Sequence, residues 1–249
     1  TGGTIASCDS GSGLSPEASA EELLSGVNLP DAEIHAIQPF ALDSTDLTPQ
    51  HWMEVAALIR DRWQDFDGFV ITHGTDTMAY GAAALSCLIQ SACKPVILTG
   101  SQLPMSAGNP VFYNTADTDA RRNLSDALLC AERGRAGVWV CFCGRVIAGN
   151  AARKVHTRDF DAFRGFTEDD EHRVEEFLTD EAGEDGGTVF YNRLDPSAAV
   201  LKLTPGISAE MVHDMGIHLR ALIVEGFGMG GIPDYGNGEL AEVFRNLSS

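Results

Sequence analysis

Three short apolar runs dominate the first two thirds of the chain: Gly68-Phe69-Val70-Ile71, Pro95-Val96-Ile97-Leu98-Thr99 and Gly137 to Phe142. Each is followed or preceded by a segment of helical length and pattern. Short runs with no polar alternation read as strands buried on both faces. Strands that alternate with helices predict an α/β fold with a mostly parallel, doubly wound sheet. Helices are expected over 49–62, 77–91 and 122–132. Thr48 is placed to cap the first of them, with Pro49 at its first position. In such a fold, ligands bind beyond the carboxyl ends of the strands.

Two threonine-glycine segments fall where such ends are expected: Thr1-Gly2-Gly3-Thr4-Ile5-Ala6-Ser7 and Thr72-His73-Gly74-Thr75-Asp76-Thr77-Met78. Each sets hydroxyls and bare backbone at a turn, and the second adds a carboxylate directly after a threonine. Lys154 can complete a nucleophile and base set. Two threonines, an aspartate and a lysine are the inventory of an amide-hydrolysing site that needs no metal, no cofactor and no histidine. Each residue also has a plainer reading. Thr4 after two glycines closes a turn, Asp43 and Ser44 form an Asx or Ser turn, and Asp76 caps the following helix. Lys154, between Arg153 and His156, is by default a surface cation, and His73 a packed, hydrogen-bonded residue. Asn123-Leu124-Ser125 is a formal glycosylation sequon that falls on an expected helix.

With 249 residues, 44% of them hydrophobic, the chain has enough apolar material for a sizeable core. Its 36 acidic and 17 basic residues give a formal charge of -19, which argues against nucleic acid and anionic membranes as partners. The same charge suits an ordinary solvated surface or a surface adapted to high salt. No apolar run reaches the length of a membrane span, and no signal peptide is visible. The chain opens directly on the first threonine turn without a strand to feed it, so a chain trimmed at both ends is expected. None of its six cysteines forms a Cys-x-x-Cys pair. Buried reduced thiols and a reducing compartment are expected, with Cys141 and Cys143 on one face of a strand. Ten of the 21 residues from Thr167 to Gly187 are acidic. The expected organisation is therefore a catalytic α/β domain over 1–166, an acidic linker over 167–187, and a smaller, partial α/β domain over 188–249.

Taken together, these segments resemble the bacterial-type L-asparaginase family, and most closely its type I, cytoplasmic branch. The matching stretches are Thr1–Ser7, Leu42–Pro49, Thr72–Tyr80, Lys94–Pro104, Asp119–Leu128 and Gly149–Phe163. Pro205–Ser208 and Glu225–Gly230 match in the smaller domain. The resemblance implies L-asparagine as substrate and Thr4 as nucleophile, with Thr75, Asp76 and Lys154 completing the machinery. Asp43, Ser44, Thr45, Gly74, Thr75 and Asp76 would bind the substrate, Ser44 at its α-carboxylate and Asp76 at its α-ammonium. Backbone N–H groups near Thr75 would meet the oxyanion. The family also implies a homodimer or homotetramer in which a neighbouring subunit completes each site.

Two departures stand out. Aligning through Gly13 and Pro16 puts Leu14 where the family's mobile lid carries an activating tyrosine. The stretch between Met105 and Asp119, which holds Tyr113, is also longer than the family's spacing. Two alternatives therefore stay open beside the asparaginase. One is a glutaminase or the ammonia-supplying amidase subunit of a tRNA-dependent amidotransferase. The other is an amino-acid-binding homologue with impaired catalysis.

Overall fold

The computed structural model describes residues 2–9, 14–16, 18–25, 27, 32–105, 118–178, 187–234 and 238–247. A hairpin of β1 (Ser7–Asp9) and β2 (Leu14–Pro16) follows the first turn, then α1 (Ala20–Ser25) and α2 (Pro49–Asp61). The central elements are β3 (Phe69–Thr72), α3 (Met78–Leu88), β4 (Ile89–Gln90), β5 (Pro95–Thr99), α4 (Asp119–Arg133) and β6 (Gly137–Phe142). Next come β7 (Arg145–Ala148), β8 (Arg153–Lys154), β9 (Phe163–Arg164), β10 (Glu171–Arg173), α5 (Val174–Phe177) and β11 (Val189–Phe190). The chain ends with β12 (Ala198–Lys202), α6 (Ala209–Gly216), β13 (Ala221–Glu225) and α7 (Glu239–Leu247).

The sheet runs β10-β7-β6-β5-β3. Its core is parallel, β3 beside β5 beside β6, while β7 and β10 extend one edge antiparallel. The sequence pattern sets the position of β5: every one of its residues is buried, as a strand covered on both faces requires. Val96 and Leu98 pack with α2 and α3 through Val55, Ile59, Ala82 and Leu85. Ile97 points the other way, onto Ala127 and Cys130 of α4. Helices thus cover both faces, in agreement with the expected doubly wound α/β class. The crossovers β3–α3–β5 and β5–α4–β6 step the same way along the sheet but use opposite faces. They therefore have opposite hands, so one of them is left-handed, against a strong general preference.

Local chemistry explains the element ends. Thr48 precedes α2 as expected, and its N–H donates to His51 Nδ1 at 3.0 Å. The expected helix over 77–91 stops at Leu88, because Ile89 and Gln90 turn extended to pair with β11. The expected strand orientation of Cys143 is corrected. Cys143 and Gly144 have φ of 51° and 70° and form the turn between β6 and β7, the backbone that a two-residue hairpin loop favours. Cys141 packs under α4, whereas Cys143 lies against the cluster on the opposite face. Cys130 and Cys141 are buried, but Cys87 is exposed.

The chain divides into two compact units, Thr1–Leu194 and Asp195–Ser249. Within the stretch expected as a linker, Glu171–Arg173 pairs with β7 in the first unit's sheet. The second unit pairs β12 with β13 in parallel, Val200 opposite Ile223. Its core joins Leu203, Ile207, Val212 and Leu240, and Ser208 caps α6 by accepting from Met211 N at 3.2 Å. Among the described residues, no helix is long and apolar enough to cross a membrane.

Candidate active site

β3 and β5 end side by side, and the His73 N–H donates to Thr99 O at 2.8 Å to extend the pairing one residue further. The chain then turns through Gly74, Thr75 and Asp76 before α3 begins. Thr77, rather than Asp76, occupies the cap position. This turn is the meeting point of the site. Gly3 has φ of 82°, and a Cβ on it would lie 2.4 Å from Gly74 Cα and N. Only bare backbone on both sides permits that approach, which joins the two threonine segments.

Gly2 bridges Leu42 in parallel fashion, and Gly3 N–H donates to Leu42 O at 3.3 Å. The following residues, Asp43, Ser44 and Thr45, are thereby drawn to the same turn. Ser44 is only 3% exposed, its carbonyl accepts from Thr77 Oγ1 at 2.7 Å, and its side chain lies beneath Gly74. Asp43 accepts from Thr45 N at 2.8 Å and Thr45 Oγ1 at 2.7 Å, the Asx arrangement anticipated as its plainer reading. Those two bonds hold its carboxyl below the usual carboxylate range.

Lys154 arrives from the β8–β9 hairpin, where it pairs with Phe163. It is not a surface cation: its side chain is 16% exposed, against 61% for Asp76. Its Nζ donates to Thr75 Oγ1 at 2.8 Å and to Asp76 Oδ1 at 2.7 Å. Thr75 is buried, and no acceptor among the described residues takes its backbone N–H. Thr4 is half-buried at the start of a 3-10 turn, and no described residue hydrogen-bonds its hydroxyl. Of the residues anticipated from sequence, Thr75, Asp76 and Lys154 are in direct contact. Gly74 belongs to the same turn, Ser44 meets it directly, and Thr4, Asp43 and Thr45 are chain neighbours of Gly3 and Ser44, which do so. Tyr113 lies outside the described residues, as does the tip of the β1–β2 hairpin. Leu14 is described only as backbone, opposite Asp9.

A polar brace escaped the sequence reading. Gln102 Nε2 donates to Asp159 O at 2.9 Å and Thr157 O at 3.2 Å, beyond Lys154, while its Oε1 lies 3.5 Å from Thr75 Oγ1. Asp119 accepts from Gln102 N at 2.9 Å and Leu103 N at 3.0 Å. Burial pushes its carboxyl above the usual range. Asn123 donates to Gly100 O and Asp119, and accepts from Cys143 N. At 1% exposure it is this brace, with no accessible side chain for a glycan. The available signal was one polar residue at helical spacing from Asp119, within the apolar stripe of Ala120, Leu124 and Ala127.

Hydroxyls, a lysine and a carboxylate gathered at the strand ends of a three-layer sheet define an amidohydrolase-type site on an α/β fold. The asparaginase N-terminal family model matches residues 1–178. The L-asparaginase of Thermococcus kodakarensis is 36% identical over 250 residues, covering 98% of this chain and 74% of that one. A solved structure of the thermostable L-asparaginase from Thermococcus kodakarensis superposes with a TM-score of 0.87 over 100% of this chain and 75% of that chain, at 34% identity. L-asparaginase I of Vibrio cholerae superposes with a TM-score of 0.78 at 32% identity, over 100% of this chain and 76% of its own. A glutamyl-tRNA(Gln) amidotransferase component of Pyrococcus horikoshii is 34% identical, over 94% of this chain and 56% of that protein. The chain belongs to the asparaginase family. By family and fold it is an amidohydrolase of the L-asparaginase type.

Proposed function

We propose that the site hydrolyses the side-chain amide of L-asparagine to L-aspartate and ammonia, with Thr4 as the nucleophile. The observation that supports this most is the Lys154–Thr75–Asp76 contact, a mostly buried amine on a hydroxyl and a carboxylate at once. The Thr4 oxygen attacks the amide carbon, the C–N bond breaks, and ammonia leaves with a proton. Water then attacks the Thr4 ester and releases aspartate. The Thr75 hydroxyl and Lys154 amine handle the protons, and Asp76 holds the amine. The Thr75 N–H faces the developing oxyanion. The exposed Asp76 carboxylate receives the substrate's α-ammonium, while Ser44, Asp43 and Thr45 line the amino-acid end. A homo-oligomer in the cytoplasm, with a neighbouring subunit closing the site, is part of the same proposal and rests on the type I resemblance.

The test is ammonia release from L-asparagine and L-glutamine, with Lys154→Met as the variant. Loss of about 10²-fold or more in kcat is expected, the usual scale for a positioned proton-transfer group. Activity within a factor of about two of the unsubstituted protein would remove Lys154 from the mechanism. The similarity to the amidotransferase component supports a second reading, an ammonia-supplying amidase. Ammonia release only in the presence of a partner amidotransferase protein would select it. Saturable asparagine binding without any ammonia would select the binding homologue and give Leu14 its meaning.

A further inference from the structure

His73 is 2% exposed, so its ring is shut off from solvent. Its Nδ1 lies 2.8 Å from the carbonyl oxygen of Gly74. A carbonyl oxygen only accepts, so Nδ1 carries the hydrogen. Nε2 is buried and bonded to no described residue, and the indole Nε1 of Trp52 is in the same condition. The two nitrogens lie 2.8 and 3.1 Å from the point where a side chain on Gly81 would begin. The two nitrogens make no hydrogen bond to each other, and no described group accepts from Nε2. A hydrogen there would be a buried donor without a described acceptor, so the Gly74 carbonyl on one side of the ring and the burial of Nε2 on the other favour the same neutral tautomer.

The held carbonyl belongs to the peptide between Gly74 and Thr75. Peptide planes are rigid, and in the trans form the C=O and N–H point in opposite directions. Fixing the Gly74 oxygen against the imidazole therefore turns the Thr75 N–H away from it. No acceptor among the described residues takes that N–H, in the one turn where Lys154, Gly3 and Ser44 converge.

We infer that His73 is a positioning residue: its neutral ring, protonated on Nδ1 and bare at Nε2, locks the Gly74–Thr75 peptide and so aims the Thr75 N–H at the oxygen of the bound amide. The catalytic half of this inference rests on the proposed amidase reading. The tautomer does not. Long-range proton–nitrogen correlation on the protein labelled with 15N-histidine reads it directly at neutral pH. The expected spectrum holds one ring with a protonated Nδ1 and a bare Nε2, absent from His73→Asn. An Nε2–H ring or an imidazolium at that position overturns the inference.

Activity then separates the lock from mere packing. His73→Asn carries an N–H near the place of Nδ1 and should keep kcat within about tenfold. His73→Phe should lose about 10²-fold or more in kcat with KM little changed, the scale of one oxyanion donor. Equal losses in two equally folded variants would overturn the catalytic half. A protein that shows the Nδ1–H tautomer but releases no ammonia would sink the amidase reading and leave the peptide lock standing.

Discussion

The two threonine segments look alike in sequence and sit in different surroundings. Thr75 is buried, and the Lys154 amine donates to its hydroxyl. Its turn is held by β3, β5 and α3. Thr4 begins a short 3-10 turn outside the sheet, is half-buried, and its hydroxyl meets no described hydrogen-bond partner. A proton-handling group gains from being fixed before substrate arrives. A nucleophile has to keep its oxygen available to form a new bond. The contrast supports the proposed division, with the tethered threonine in proton transfer and the untethered one in attack.

Removing each hydroxyl gives the largest expected effect. Thr4→Ala should reduce kcat about 10⁴-fold or more, since groups acting as one unit fail together. Thr75→Ala should come close to it, and the double variant should lose little beyond Thr4→Ala. Ammonia release under saturating asparagine measures all three. A Thr4→Ala protein with more than about a tenth of the original rate would break the division of labour. A double variant whose losses multiply would show two independent functions instead of one machine.

The backbone contact that joins the segments comes next. Gly3→Ala forces a side chain onto a residue with φ of 82° and into Gly74 backbone 2.4 Å away. Strain and overlap together should cost about 2–4 kcal/mol. Gly74→Ala meets the Ser44 side chain at 2.6 Å, a neighbour that can rotate, and should cost about 1–3 kcal/mol. Denaturant midpoints at constant m-value rank the two. The reverse order would mean that the Ser44 contact, and not the Gly3 approach, sets the geometry of the turn.

A third difference is titratable. Burial lowers the pKa of His73, in the second segment, from 6.5 to about 4, against a hydrogen bond from its ring to the Gly74 carbonyl that favours the charged form. Below 6.5 the unfolded chain takes up a proton that the folded ring refuses. Stability from this residue is therefore complete above 6.5 and is lost as pH falls toward 4. The loss is about 3 kcal/mol over that interval. Unfolding free energies between those pH values, compared with His73→Asn, isolate it. Identical slopes in the two proteins would place the proton elsewhere.

The alternation of strands and helices, the layering and the threonine turns were legible because they rest on local patterns. β5, apolar but for Thr99, had to lie inside a covered sheet, and Pro49 after Thr48 had to start a helix. From its own neighbours Lys154 was legible only as a surface cation, and the resemblance alone gave it a role. Its burial depends on the β8–β9 hairpin, which pairs two residues on each strand and leaves almost no signal in sequence. The opposite hands of the crossovers are a property of layer choice, since a helix faces either side of a sheet with the same apolar stripe. Cys143 was misread because an alternating strand pattern continues smoothly into a turn whose φ is set by Gly144 beside it. The brace of Gln102, Asp119 and Asn123 joins strand ends that sequence alone leaves apart.

That brace yields the smallest effect and the finest test of the contrast. Gln102 connects the tethered threonine to the segment that follows Lys154, but unequally. Its amide nitrogen makes bonds of 2.9 and 3.2 Å to Asp159 O and Thr157 O, while its oxygen stands 3.5 Å from Thr75 Oγ1. Hydrogen-bond strength falls steeply at that length, so the amide serves the lysine segment more than the threonine. Gln102→Glu replaces the donating nitrogen with an acceptor facing two carbonyls, and should destabilise by about 1–3 kcal/mol. Gln102→Ala leaves the carbonyls to water and should cost about 1 kcal/mol, with kcat falling less than about tenfold. If Gln102→Ala instead matched Lys154→Met in kcat with its stability intact, the weak contact to Thr75 would be the one that matters. The tether on the second threonine would then run through Gln102 as well as through the lysine.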